Sequence, residues 1–132
     1  MIILGERNKQ IRALRPIIEQ IDYEMESKKI EQFQNQVLRP ILKYQNEVFL
    51  ILFKNYTEKY KLSFSDLVQK EKEYCIKKAV GQNQLFKNMM IGVVIAMFTD
   101  DELQVYCQNR SEINRRISGM LIQRLQDQSS LI

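Results

Sequence analysis

The chain has 132 residues, 45% of them hydrophobic and 27% charged, which is the size of one ordinary domain with enough apolar side chains for its own core and argues against a disordered chain. Four glycines and two prolines are too few for the turns of an all-β fold. The formal charge of +4 is spread evenly, with eleven Lys/Arg against eight Asp/Glu up to Leu62 and nine against eight beyond it, so no basic arm marks a nucleic-acid partner.

Residues 6–14 read as a short helix that stops at Arg15-Pro16. Pro16 suits the first position of a second helical stretch, in which Ile17, Ile18, Ile21 and Met25 recur at helical spacing. The polar residues 24–29 predict a loop. Residues 1–7 lack the long apolar core of a signal peptide, and the longest apolar run, residues 89–98, is too short to span a bilayer as a helix. Two cysteines, Cys75 and Cys107, cannot build a disulfide framework, and their places on or near apolar stripes suit packing. These features predict a soluble, cytoplasmic protein without a membrane span.

The longest predicted element covers about 28–59. Ile30, Phe33, Val37, Ile41, Val48, Leu52 and Tyr56 fall on one helical face, with Pro40 inside the pattern. Proline removes a backbone hydrogen bond and crowds the preceding turn, so a kink or break is expected there. Residues 48–53 are apolar around the whole circumference, which predicts a central helix or one covered by a second subunit. The segment Leu14-Arg15-Pro16-Ile17-Ile18 echoes Leu38-Arg39-Pro40-Ile41-Leu42, but the likeness is too short to indicate a repeat architecture.

Ser63 and Asp66 resemble an N-cap pair for a helix from Phe64 to about Ala79, ended by Gly81. A further helix is expected from about Asn83 to Phe98, where Gly92 and Ala96 would let a neighbouring helix approach closely. Thr99 and Glu102 form a capping box for a short helix to about Gln108. The break at Asn109-Arg110-Ser111, with Ser111 as a second cap, leads into a last helix from Glu112 to Gln126. Ile113, Ile117, Met120, Leu121 and Leu125 make its apolar stripe. The whole pattern predicts one all-α domain over residues 1–132, a bundle of about five to six helices with a long, Pro-kinked central helix.

The absence of histidine removes the commonest general base and metal ligand, and with it Ser-His-Asp and Cys-His nucleophile systems. No glycine-rich phosphate loop or G-x-S-x-G is present. No catalytic, metal-ligating or cofactor-binding residue is therefore predicted, although a carboxylate-only site stays open. Its candidate is Glu71, which a helical wheel places among Phe64, Leu67, Val68 and Cys75; the simpler reading is an ion pair at the core margin with a Lys or Arg. Gln34 and Gln45 project onto the apolar face of the long helix. They are expected to bond the chain near Pro40, or else to line a polar pocket beside the kink, together with Asn55. Tyr56 and Tyr60 carry the stripe into a polar end as candidate interface residues. Arg110, Arg115, Arg116 and Arg124 follow a short helix and a tight break, an order that mimics a helix-turn-helix. Arg124 falls in the apolar stripe, however, and Glu112 and Asp127 dilute the charge, so a solvated bundle face is the preferred reading.

Residues 33–46, from Phe33-Gln34-Asn35-Gln36 through Val37-Leu38-Arg39-Pro40, resemble a small family of uncharacterised bacterial all-helical proteins. The Leu14-Arg15-Pro16 segment, the Phe98-Thr99 junction and the closing Arg124-Leu125-Gln126-Asp127-Gln128 are similar to it as well. Some relatives carry a glyoxalase label, which implies a metal held by His and Glu in a βαβββ fold. This chain has no histidine and no strand alternation, so the resemblance transfers no catalytic residue.

The expectation that follows is a non-enzymatic helical interaction module, self-associating or bound to a protein partner. Gln34, Arg39, Gln45, Glu71, Arg116 and Arg124 are its candidate polar or interface residues. The competing expectation is a nucleic-acid-binding regulator that uses the C-terminal helix pair. A small-molecule or carboxylate-based enzyme comes third and would need converging acidic groups.

Overall fold

The computed structural model describes residues 4–16 and 29–132; the helical stretch expected over residues 17–26 lies outside them, as does most of the polar segment 24–29. All regular structure among the described residues is helical. The elements are α1 (Leu4–Leu14), α2 (Lys29–Phe33), a π-helical turn (Gln34–Leu38), α3 (Arg39–Tyr44), α4 (Asn46–Lys59), a 3-10 turn (Phe64–Asp66), α5 (Gln69–Gln82), α6 (Gln84–Ile95), α7 (Asp100–Gln108), α8 (Arg110–Asp127) and a closing 3-10 turn (Ser129–Leu131). Because α2, the π turn and α3 run on without a gap, they form one rod, and the described residues make seven rods. That is one more than the upper end of the expected range.

The way the chain passes Pro40 sets up the region of interest. An α-helix would need the missing N–H of Pro40 and would press its ring against the carbonyl four residues back. The turn ahead of it widens instead, and the N–H of Arg39 reaches five residues back to the carbonyl of Gln34. Pro40 then sits in the first turn of α3, where its ring is tolerated. The rod stops at Gln45 (φ −90°, ψ 8°), and α4 starts from it. The expected kink is thus resolved as a π turn before the proline and a break after it.

The core lies between this rod and α8. Leu38, Ile41, Leu42, Phe49 and Phe53 from α3, α4 and the π turn are shielded from solvent, as are Ile113, Ile117, Leu121 and Leu125 of α8. Ile76 and Ala79 of α5, with Met90 and Val94 of α6, close it. Helix α8 packs against α5, α6, α7 and the π turn, so most elements reach the core through it. Each fully buried large aliphatic or aromatic side chain contributes roughly 1.5–3 kcal/mol of transfer free energy.

Among the described side chains of α1, Ile11 is the one buried apolar group, and polar groups fasten the helix. Arg7 donates to the carbonyls of Phe98 (2.9 Å) and Ala96 (3.0 Å), just past the end of α6. Arg15 donates to the carbonyl of Met97 (2.6 Å) and to both carboxylate oxygens of Glu102. Glu102 also accepts from the Thr99 N–H (2.9 Å) and so completes the capping box expected for α7. Burial alone would raise the Glu102 carboxyl. The Arg15 hydrogen bonds, followed by those of Thr99 and the Arg15 charge, outweigh it and hold the group below the usual carboxylate range.

Four local expectations are corrected. Ser63 does not cap a helix: Lys61 (φ 53°) and Ser63 (φ 46°) are left-handed and reverse the chain, and Leu67 and Val68 are extended, so α5 starts only at Gln69. Gly81 does not end α5, which runs through it to Gln82 without a positive φ. Gly92 admits no close neighbour, since a Cβ there would meet nothing within 4 Å. Ser111 lies inside α8; the junction is Asn109, whose side-chain N–H2 turns back to the Val105 carbonyl of α7 (2.9 Å).

Candidate functional site

The π turn and α8 face each other across a cleft of about 440 Å³, and three of the six residues singled out in the sequence line it: Gln34, Arg39 and Arg124. Arg39 is brought there by the π turn, because the extra residue in that turn shifts all that follows by about 100° relative to a continuous α-helix. Leu42 and Met120 make the apolar part of the wall, and Asn35, Gln123, Asp127 and Gln128 the rest of the polar part.

The polar groups are ordered by one another. Arg116 donates to the side-chain oxygen of Gln34 (2.7 Å), which fixes the amide so that its N–H2 is turned to other partners. Asn46 and Gln128 exchange amide hydrogen bonds of 2.7 and 2.8 Å. Arg124 donates to Asn46 at 3.3 Å, and Gln123 donates to Asp127 at 2.8 Å. Neither Arg39 nor Arg124 forms an ion pair among the described residues. Partial burial of Arg124, and then the Arg39 charge across the cleft, lower the affinity of its guanidinium for its proton, while Asp127 offsets part of this. The site is electropositive, with a single carboxylate at its edge.

The other singled-out residues lie elsewhere. Gln45 is half-buried and donates weakly to the Val93 carbonyl of α6 (3.4 Å), so neither it nor Asn55 enters the cleft, and neither glutamine bonds a freed carbonyl beside Pro40. Glu71 is exposed and has no ion pair among the described residues, which corrects the core-margin reading. The wheel that placed it inside assumed a helix from Phe64; with Leu67 and Val68 extended, Glu71 falls in the first turn of α5, where a carboxylate complements the helix dipole. There it edges an apolar groove of about 580 Å³ between Tyr56, Tyr60, Tyr74 and Cys75. Burial raises the Cys75 thiol, against the weaker opposite pull of Lys78, whereas Cys107 is exposed and does not pack as expected.

The arginines around the α7–α8 junction are occupied. Arg115 and Arg116 both donate to Glu112, at 2.9 and 3.0 Å, and hold its exposed carboxyl below the usual range. Arg110 lies over the Tyr106 ring, 5.7 Å from its centroid. Among the described residues no group of three or more Cys, Asp or Glu comes together to hold a metal ion, and no helix is long and apolar enough to cross a membrane.

A second surface is apolar. Helices α4 and α6 lie side by side, joined by the Gln45–Val93 hydrogen bond and by a groove lined by Leu52, Asn55, Leu85 and Met89. Phe49 and Phe53 point inward, but Ile51 is 67% exposed and Leu85 85%, with Val48 and Met89 also exposed. The all-round apolar stretch of residues 48–53 therefore fills the core with one side and leaves the other outside.

Asn46, Gln123 and Gln128 were not candidate site residues in the sequence, and Asp127 figured there only as a charge that dilutes the C-terminal arginines; the spacing of Arg124 and Gln128, one helical turn apart, was an available signal. No known family model, curated protein or solved structure matches this chain, and its functional reading rests on the geometry of these two surfaces.

Proposed function

We propose that the chain is a non-enzymatic helical interaction module that pairs with a second copy of itself through α4 and α6. The observation that carries this reading is the exposed apolar face of Val48, Ile51, Leu85 and Met89, flanked on α4 by Glu47 and Lys54. A contiguous apolar surface of this kind marks an interaction site more often than a solvated face. Charge selects the partner. Glu47 and Lys54 are both exposed and lie seven residues apart on the same flank, almost symmetrically about Ile51. In an antiparallel two-fold pairing centred near Ile51, Glu47 of each copy meets Lys54 of the other, twice over. A parallel pairing would set the two flanks on opposite sides.

The nucleic-acid reading of the last two helices has less behind it. Three of its four arginines, Arg110, Arg115 and Arg116, already face Tyr106, Glu112 and Gln34 within the chain.

Sedimentation equilibrium tests the proposal. The expected result is a dimer at micromolar concentration that Ile51→Glu converts to a helical monomer, with helicity checked by circular dichroism. Glu47→Lys should weaken the dimer and the added Lys54→Glu should restore it, by a modest margin because rim ion pairs contribute about 0.2–1 kcal/mol. A wild-type chain that stays monomeric at high micromolar concentration overturns the reading.

A further inference from the structure

The cleft between the π turn and α8 shares no lining residue with the apolar groove of α4 and α6. Its character follows from its charges. Two guanidiniums, Arg39 and Arg124, share one space without a carboxylate at ion-pair distance among the described residues. Arg15, Arg116 and Arg7, by contrast, have anionic or backbone carbonyl partners in Glu102, Glu112 and the end of α6. Placing the exposed Arg39 beside the partly buried Arg124 raises the energy of the empty site, and an anion bound between them offsets that cost.

Three further features narrow the ligand. Two guanidinium forks match the double charge and multiple oxygens of a phosphate monoester better than one carboxylate. Gln34, with its oxygen held by Arg116, offers its N–H2 as a neutral donor from the same wall. Asp127 at the edge repels an anion, but it accepts from a hydroxyl or amino group a few ångströms away from one. The volume of about 440 Å³ suits a small molecule, and the half-buried Met120 gives its body an apolar side to rest on.

We propose that this cleft binds a small phosphorylated, hydroxyl-bearing molecule, its phosphate between Arg39 and Arg124 and a hydroxyl on its body donating to Asp127. Arg116 acts as a positioning residue through Gln34.

Titration calorimetry at low ionic strength tests this with ribose 5-phosphate and adenosine monophosphate as probes, ribose and inorganic phosphate as their separated parts, and a uridine oligonucleotide as the polymeric alternative. Saturable binding of at least one of the two phosphate monoesters is expected, weakened at least about tenfold in both Arg39→Gln and Arg124→Gln, the loss of one charge-assisted contact. Ribose alone should not bind. The unliganded variants should melt no lower than the wild type, which separates loss of ligand from loss of fold. The proposal is overturned if neither monoester binds saturably, if binding survives both substitutions unchanged, or if only the oligonucleotide binds, with an affinity that grows with its length. Because Ile51→Glu leaves the cleft untouched, the same titration on that variant gives the same result whether or not the chain pairs.

Discussion

The tripeptide Leu-Arg-Pro occurs twice, and its two copies do opposite things. Leu14-Arg15-Pro16 ends α1: Leu14 is 48% exposed, Arg15 bends the chain, and Pro16 lies beyond the helix. Leu38-Arg39-Pro40 lies within a helical rod, with Leu38 wholly buried and the proline accommodated by a π turn. The arginines differ most. Arg15 is enclosed by Glu102 and the Met97 carbonyl, and Arg39 opens onto a cleft beside a second arginine. A proline within a helical run therefore does not stop the rod when the residues just beyond it are buried. Beyond Pro40, Ile41 and Leu42 are fully buried, and their burial outweighs one distorted turn.

The contrast can be tested residue by residue. The largest effect should come from the leucines: Leu38→Ala should cost about 2–5 kcal/mol in urea unfolding and Leu14→Ala less than about 0.5 kcal/mol. Equal losses would mean that the two segments carry similar loads. Next come the arginines. Arg15→Ala strands a largely buried Glu102 and should cost about 3 kcal/mol, at the lower end for a broken buried pair. Arg39→Ala should stay within about 0.5 kcal/mol of wild type. Acid should reproduce this difference in milder form. The folded Glu102 carboxyl lies below its unfolded value, so its contribution is complete above about pH 4.3 and is lost as the pH falls through the folded value. Arg15→Ala should flatten that part of the pH–stability curve, and Arg39→Ala should leave its slope alone. The smallest effect is a gain: Arg39→Gln should raise the melting temperature slightly in dilute buffer, and the gain should vanish at about 1 M salt, where charges are screened within roughly 3 Å.

Much of the fold was legible because helices announce themselves through spacing. Ile113, Ile117, Leu121 and Leu125 mark the buried stripe of α8, and Thr99 with Glu102 marks the start of α7, where the structure places both. The start of α5 was not legible. Ser63 has the chemistry of a cap, yet the left-handed backbone at Lys61 and Ser63 turns the chain first, and no glycine advertises that turn. The error carried over to Glu71, since a wheel keeps its phase only while the helix is unbroken. The cleft was legible in part. Gln34 and Arg124 stood out as polar groups on apolar stripes and Arg39 as a candidate polar residue, but the π turn ahead of Pro40 that brings Arg39 towards Arg124 was expected only as a kink or break.

The fastening of α1 has a consequence for synthesis. Arg7 and Arg15 are bound to groups 82 to 91 residues further along the chain. At a ribosomal rate of about 5–20 residues per second, α1 emerges some 4–20 s before its anchorage exists. Among its described side chains Ile11 is the one buried apolar group, so these later contacts carry much of its attachment. Helix α1 thus docks only after α6 and the start of α7 have been made, and its arrival at their junction reports that this junction has formed.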